Sequence, residues 1–170
     1  MKYLIIAVIA FCSPTVVFCQ DITGLWKGTL FNDSTQQTLP YEVYINKSKG
    51  KYTGFSQTWF LVNGEKYYGI KKIRARIAKD GKVVIQDEGL MENNYPPNTN
   101  KKVIQLNVLD LQGMEENATL NGLFVTNSTR VLSELTGKIS LKKITAASTE
   151  SSLMEYLHRT AGTTDITSIK

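Results

Sequence analysis

KYTGFSQTWFLVNGEKYYGIKKIRARIA, residues 51 to 78, decides the fold. Asn63-Gly64 at its centre is the dipeptide favoured by a two-residue hairpin turn, because both central residues of such a turn take positive φ. The flanking residues follow a period of two. Before the turn, Phe55, Trp59 and Leu61 share one face, and Tyr52, Gly54, Ser56 and Thr58 share the other. After it, Lys72, Arg74 and Arg76 share a face, and Tyr67 and Tyr68 point to opposite faces. The segment predicts two antiparallel strands, Lys51 to Leu61 and Lys66 to Ala78.

The same signature repeats outward. Upstream lie Gly24 to Phe31 and Pro40 to Asn46, the latter with Tyr41, Val43 and Ile45 on one face, closed by the turn Lys47-Ser48-Lys49-Gly50. Downstream, Lys79-Asp80-Gly81 turns the chain into Lys82 to Glu88, and a longer loop around Tyr95-Pro96-Pro97-Asn98 follows, where two prolines cannot continue a ladder. Further strands are expected at Lys101 to Leu111, Ala118 to Thr126 and Glu134 to Ile144. No connection has the length of a crossover helix, so every neighbouring pair is antiparallel. An eight-strand meander leaves two raw edges unless its first strand joins its last. The expectation is therefore an all-β chain: an eight-stranded antiparallel up-and-down barrel, wide enough for a packed core or one small ligand. A short C-terminal helix is expected over Ser152 to Arg159, with Ser148 as N-cap, Leu153 and Leu157 on one face and Gly162 as its end.

The beginning of the chain has a different character. Met1-Lys2 is a positive start, Tyr3 to Phe11 an unbroken apolar run, and Pro14 breaks it. Val17 and Cys19 are small enough for the two shallow pockets of signal peptidase, which puts cleavage before Gln20. The apolar run is short for a membrane anchor. Cys19 offers a lipidation site, although Phe18 before it is larger than lipoprotein signals prefer. The expected organisation is a signal peptide at 1–19, a barrel at 20–146, and a helix with a loose tail at 147–170. Both cysteines, Cys12 and Cys19, lie in the leader, so the mature domain has no disulfide and depends on an ordinary core. Export without disulfides points to a gram-negative bacterium, with the periplasm, cell surface or medium as destination. Four glycosylation sequons, beginning at Asn32, Asn46, Asn117 and Asn127, matter only in a eukaryotic host.

The net charge is +5, one unit of it from Lys2 in the leader. The one basic cluster, Lys71-Lys72 with Arg74 and Arg76, reads as a solvated outer wall, and no recognition helix accompanies it, so nucleic acid is not an expected partner.

Thr23-Gly24-Leu25-Trp26-Lys27-Gly28 on the first strand resembles the Gly-X-Trp opening of the calycin group, meaning lipocalins, fatty-acid-binding proteins and avidins. The layout of residues 22 to 159 is similar too, and so are small exported lipocalin-like proteins of gram-negative bacteria. The resemblance implies that Gly24 and Trp26 form a structural plug at the closed barrel end. It also departs from those families. The turn Leu111-Gln112-Gly113-Met114-Glu115 lacks the lipocalin Thr-Asp-Tyr pattern, and neither Arg130 nor Lys142-Lys143 is a clean match for the Arg that stacks on the lipocalin Trp. With only Trp26 and Trp59 present, biotin binding is not implied.

The candidate ligand-binding residues are Tyr52, Tyr67, Gln105 and Asn107. Pattern alone leaves open which face of the third strand lines the interior: the mixed face, with the bulky one under the tail, or the reverse. Gln105 and Asn107 share a face with Val103 and Leu109, and serve either as interior polar groups or as a wet surface. Asp87 continues the phase of Val83 and Ile85 and points inward, or marks a strand end in water; Glu88 and Glu92 lie nearby. His158 is the only histidine and lies in the tail, where neither a Ser-His-Asp triad nor a metal site with other strong ligands is expected, and no cofactor motif is present. No catalytic or metal-binding residue is expected. Three functions compete: a barrel holding a small apolar or amphipathic ligand; a filled barrel acting as an interaction or structural protein; and an enzyme using Asp87 or Glu88 with a tyrosine. Membrane attachment is expected only if Cys19 is lipidated.

Overall fold

A computed structural model describes residues 21–96, 102–129, 133–145 and 150–167. The expected leader, Ser148 as N-cap and Arg130 fall outside them. Eight strands follow in chain order: β1 (Gly24–Asn32), β2 (Gln37–Ser48), β3 (Lys51–Val62), β4 (Glu65–Ile77), β5 (Val83–Asn93), β6 (Gln105–Gln112), β7 (Thr119–Thr126) and β8 (Thr136–Ile144). Each pairs antiparallel with the next, and β1 also pairs with β8, from Leu25 opposite Ile144 to Asn32 opposite Gly137. The sheet is a closed barrel, followed by one helix, α1 (Ser152–Thr167), and it fits a lipocalin-like fold.

Alternation decides what enters. Tyr41, Val43 and Ile45 of β2 turn inward together, with Trp26 and Leu30 of β1, Ile73 of β4, Val83 and Ile85 of β5, Leu120 and Phe124 of β7, and Ile139 and Leu141 of β8. Trp26 is fully buried at one end. Its indole N–H donates to the carbonyl of Ile22 at 3.0 Å, which holds buried Ile22 beneath it. The Lys143 ammonium sits 5.7 Å from the Trp26 ring centroid, a cation over an aromatic face. A lysine here thus takes up the stacking on the plug, and Asp21 to Trp26 closes this end.

On β3 the mixed face looks inward: Ser56 is buried inside, and Tyr52 packs against the core. Of the bulky face, Phe55 packs outward under α1, whereas Trp59 and Leu61 lie towards the open end of the barrel. Leu153, Tyr156 and Leu157 lie on Ile70, Phe55, Tyr44 and Tyr68, with Phe55 and Tyr156 edge to face at 6.3 Å. Leu153 and Leu157 do share the packed face, as their spacing requires.

The helix begins one turn after the expected cap. Ser151 is the N-cap: its hydroxyl oxygen accepts the Met154 N–H at 3.1 Å. The same hydroxyl donates to Glu42 Oε2 at 2.6 Å, which also accepts the Leu153 N–H at 3.3 Å. Glu42 is buried on the outer wall and pairs with Lys27 at 3.1 Å, so a barrel carboxylate meets the positive end of the helix. The helix passes through Gly162 rather than ending there. A glycine inside a helix costs only about 1 kcal/mol relative to alanine and stops it only where the chain turns left-handed.

Two strand boundaries also differ from expectation. β5 runs on past Glu88 because two bulges, at the register shifts Ile70/Lys71 and Lys72/Ile73 of its partner, absorb extra residues. β6 begins at Gln105 rather than Lys101: the Val103 carbonyl is taken by Lys71 Nζ at 2.9 Å, and the Ile104 N–H by Asn127 Oδ1 at 2.7 Å. These two backbone groups are thus satisfied by side chains rather than by a neighbouring strand.

Two outcomes follow from this packing. Trp26→Ala should cost about 3–5 kcal/mol, read as a lower urea midpoint at unchanged slope. Ser151→Ala should cost about 1 kcal/mol and accelerate hydrogen exchange in α1 while the barrel amides stay protected.

Candidate functional site

The half of the barrel away from Trp26 is not filled. It holds a cavity of about 340 Å³, bounded by the late part of β1, the end of β3, Leu90, and residues of the two loops that follow β5 and β7. Leu30, Leu39, Phe60, Leu90, Phe124 and Leu135 make its walls, and Leu61 and Val62 stand at the rim, each more than a third exposed. Lys71 and Gln105 are at its polar side.

Lys71 is an inward-pointing cation for a reason visible in the register. It pairs with Ser56 on β3, whose side chain is inside, and it alternates with the core residue Ile73. On β5, Val83, Ile85 and Asp87 face inward in simple alternation. The bulge after Asp87 then restores Leu90 to the interior opposite Lys71. Asp87 is therefore buried, at 5 % exposure, and not a strand end in water. Its Oδ2 accepts from Lys71 Nζ at 2.6 Å and from the Gln105 backbone N–H at 2.9 Å.

A ring of hydrogen bonds extends from this pair. Gln105 Nε2 donates to Asn107 Oδ1 at 2.8 Å, and Asn107 Nδ2 donates to the Tyr41 hydroxyl at 3.0 Å. The Ser56 hydroxyl stands beside both Tyr41 and Asp87, where it favours their charged forms against the effect of burial. Among the described residues no buried side-chain nitrogen or oxygen lacks a partner, which is the condition under which a polar cluster can persist in a core. Burial raises the Asp87 carboxyl above the usual carboxylate range, against the opposing pull of Lys71 and the N–H of Gln105. Burial, and then the Asp87 charge, push the Tyr41 hydroxyl well above the normal phenol range.

Tyr95 reaches into the mouth from the loop after β5. Its ring lies 5.1 Å from that of Phe60, and its hydroxyl occupies the space that a Cβ on Gly69 would need. A side chain at 69 would displace the Tyr95 ring from this position. Burial and then the Asp87 charge lift the Tyr95 hydroxyl to about 12.

The four residues expected to bind a ligand separate. Gln105 lines the cavity, and Asn107 lies directly behind it in the ring. Tyr67 stacks on Phe60 at 5.7 Å and bonds Glu65, outside the cavity lining. Tyr52 stands at the closed half, with the Lys47 ammonium 4.9 Å from its ring centroid. Glu88 faces outward towards Lys72, and Glu92 pairs with Arg159 on α1 and accepts from Tyr68. Sequence reasoning did not single out Lys71, Ser56 or Tyr95 as site residues. For Lys71 a signal existed: it shares the phase of Ile73, Ala75 and Ile77, an apolar face, whereas Lys72, Arg74 and Arg76 share the wet one. Among the described residues no group of three or more His, Cys, Asp or Glu could hold a metal ion.

The sequence matches no protein-family model, and no curated protein or solved structure is significantly similar to it.

The raised Asp87 carboxyl sets a pH dependence. Its native state takes up a proton more readily than its unfolded state, so its contribution is most favourable below the ordinary value of 3.8 and is lost as pH rises through the raised value. The stability of the native chain minus that of Asp87→Asn should therefore fall as pH rises from below the ordinary carboxylate value through the raised one. Urea midpoints of both proteins across that range measure it; a difference that rises with pH would show the carboxyl to be held low instead.

Proposed function

We propose that this chain is an exported lipocalin-like barrel that binds a small apolar or amphipathic molecule in its mouth, as a carrier or sensor rather than an enzyme. One observation carries the proposal: the mouth half of the barrel encloses about 340 Å³ between apolar walls, with a few convergent polar groups on one side. That volume falls within the range of small-molecule pockets, roughly 300–1,000 Å³, and the mixture of wall and polar group is theirs as well. A barrel serving only as a structural or interaction protein would be expected to fill this half with its own side chains, as it fills the half around Trp26.

A carboxylate and tyrosines do converge here, which is what a barrel enzyme would need. Asp87, however, is engaged by Lys71 and the Gln105 N–H, and Tyr41 is bonded to Asn107. Groups so tied hold a structure rather than wait for a substrate proton. Export, to the periplasm or surface of a gram-negative bacterium, rests on the apolar leader of the sequence, and membrane attachment on Cys19. The outer cations oppose no nucleic-acid groove: Arg74 is bonded to Gln86 and Lys72 faces Glu88.

The test is a titration of the purified chain with the neutral fluorophore N-phenylnaphthylamine, alongside native mass spectrometry of protein taken from its own host. Saturable binding is expected, weakened at least about tenfold by Leu90→Trp, which fills the cavity from a wall position. No saturable binding together with no co-purifying mass would overturn the proposal.

A further inference from the structure

Resting on that cavity reading, we infer that the mouth selects ligands with an uncharged, hydrogen-bond-accepting head group, an alcohol, ester, ketone or amide, over carboxylates and amines of the same chain. The selector is the Lys71–Asp87 pair. Among the described residues Lys71 is the one charged side chain that lines the cavity, and its charge is already cancelled by Asp87 at 2.6 Å, set just behind it.

Consider what a charged head would meet. A carboxylate has two routes to Lys71. It can draw the ammonium away from Asp87, which strands a buried carboxylate among Ser56, Gln105 and Tyr41. It can instead sit beside the intact pair as a third charge with no counter-ion in walls made of Leu30, Leu90 and Phe124. Either way an uncompensated charge is left in a water-poor site, which is strongly unfavourable. An ammonium head meets the mirror problem: Asp87 is taken, and Lys71 repels it.

A neutral head meets none of this. An ammonium group carries three N–H donors. Lys71 spends one on Asp87 Oδ2 and one on the Val103 carbonyl at 2.9 Å, which leaves a third at the cavity it lines. The Tyr95 hydroxyl lines the same cavity and has no hydrogen-bond partner among the described residues. Two donors are thus placed for a neutral oxygen, and no charge has to be rearranged to use them. The cluster behind them is closed on itself, so the ligand need not complete it.

Competition against bound N-phenylnaphthylamine tests this on the native chain, with decanol, decanoate and decylamine as displacers at neutral pH. Decanol is expected to displace the probe at a concentration at least about tenfold below either charged analogue. Equal displacement by all three, or a preference for decanoate or decylamine, overturns the inference and leaves the cavity reading standing. Failure of the native chain to bind the probe at all removes the cavity reading, and this inference with it. Asp87→Asn supplies the second arm. It leaves the Lys71 charge unbalanced, so decanoate should gain at least about tenfold on decanol. A folded variant that keeps the native order would show that the pair is not the selector. If the variant does not fold, judged by circular dichroism, the native series decides by itself.

Discussion

The ladder between β1 and β8 is the constraint on which the rest depends. While it holds, each strand has two neighbours, and alternate side chains of all eight strands must share one interior. That interior is divided along its length by what β1 carries at each level. Trp26 fills the level near the start of β1 and is locked by the Ile22 carbonyl and the Lys143 ammonium. Leu30 and Asn32, farther along the same strand, stand beside open space. A large aromatic at one end and smaller groups at the other make a vessel with a floor.

The polar ring sits where those two halves meet. Tyr41, Asn107, Gln105, Asp87 and Ser56 come from β2, β6, β5 and β3, so the ring ties together strands that are not all adjacent in the sheet. Such a cluster gives little net stability over apolar packing of the same shape, because desolvation offsets most of the hydrogen-bond gain. What it provides is placement. It holds Lys71 and the Gln105 side chain at one spot on the cavity surface, on strands rather than on loops. The bulge at Glu88 serves the same end: without it Asp87 and Leu90 could not both face inward.

The outer wall shows how one sheet can be buried twice. Over β2 to β4 the outward residues Tyr44, Phe55 and Ile70 lie beneath α1, and the buried Glu42 receives the helix N-terminus. A carboxylate facing out of a barrel would ordinarily be wet. Here it is buried because the Ser151 hydroxyl, the Leu153 N–H and Lys27 all bond to it or pair with it. The helix is short and only moderately amphipathic, and tertiary contact rather than propensity keeps it in place.

Much of this was legible before any coordinates. The strands from β1 to β4 and β7 lie within a few residues of their expected bounds, because turn glycines and period-two alternation are local properties. The antiparallel order and the closure also follow from the sequence, since connections too short for a crossover leave few topologies. Gln105 and Asn107 were picked out by their phase with Leu109. What the sequence left open is which of two faces is inside, and which polar residue finds a partner there. Lys71 looked like part of a basic cluster until register set it against Ser56 and within 2.6 Å of Asp87, sixteen residues away. The extension of β5, the start of β6 and the cap at Ser151 were decided in the same way, by groups distant in the chain that bonded backbone atoms first. Periodicity is read from neighbours along the chain, whereas charge pairing and empty volume exist only between strands, and so only tertiary structure could decide them.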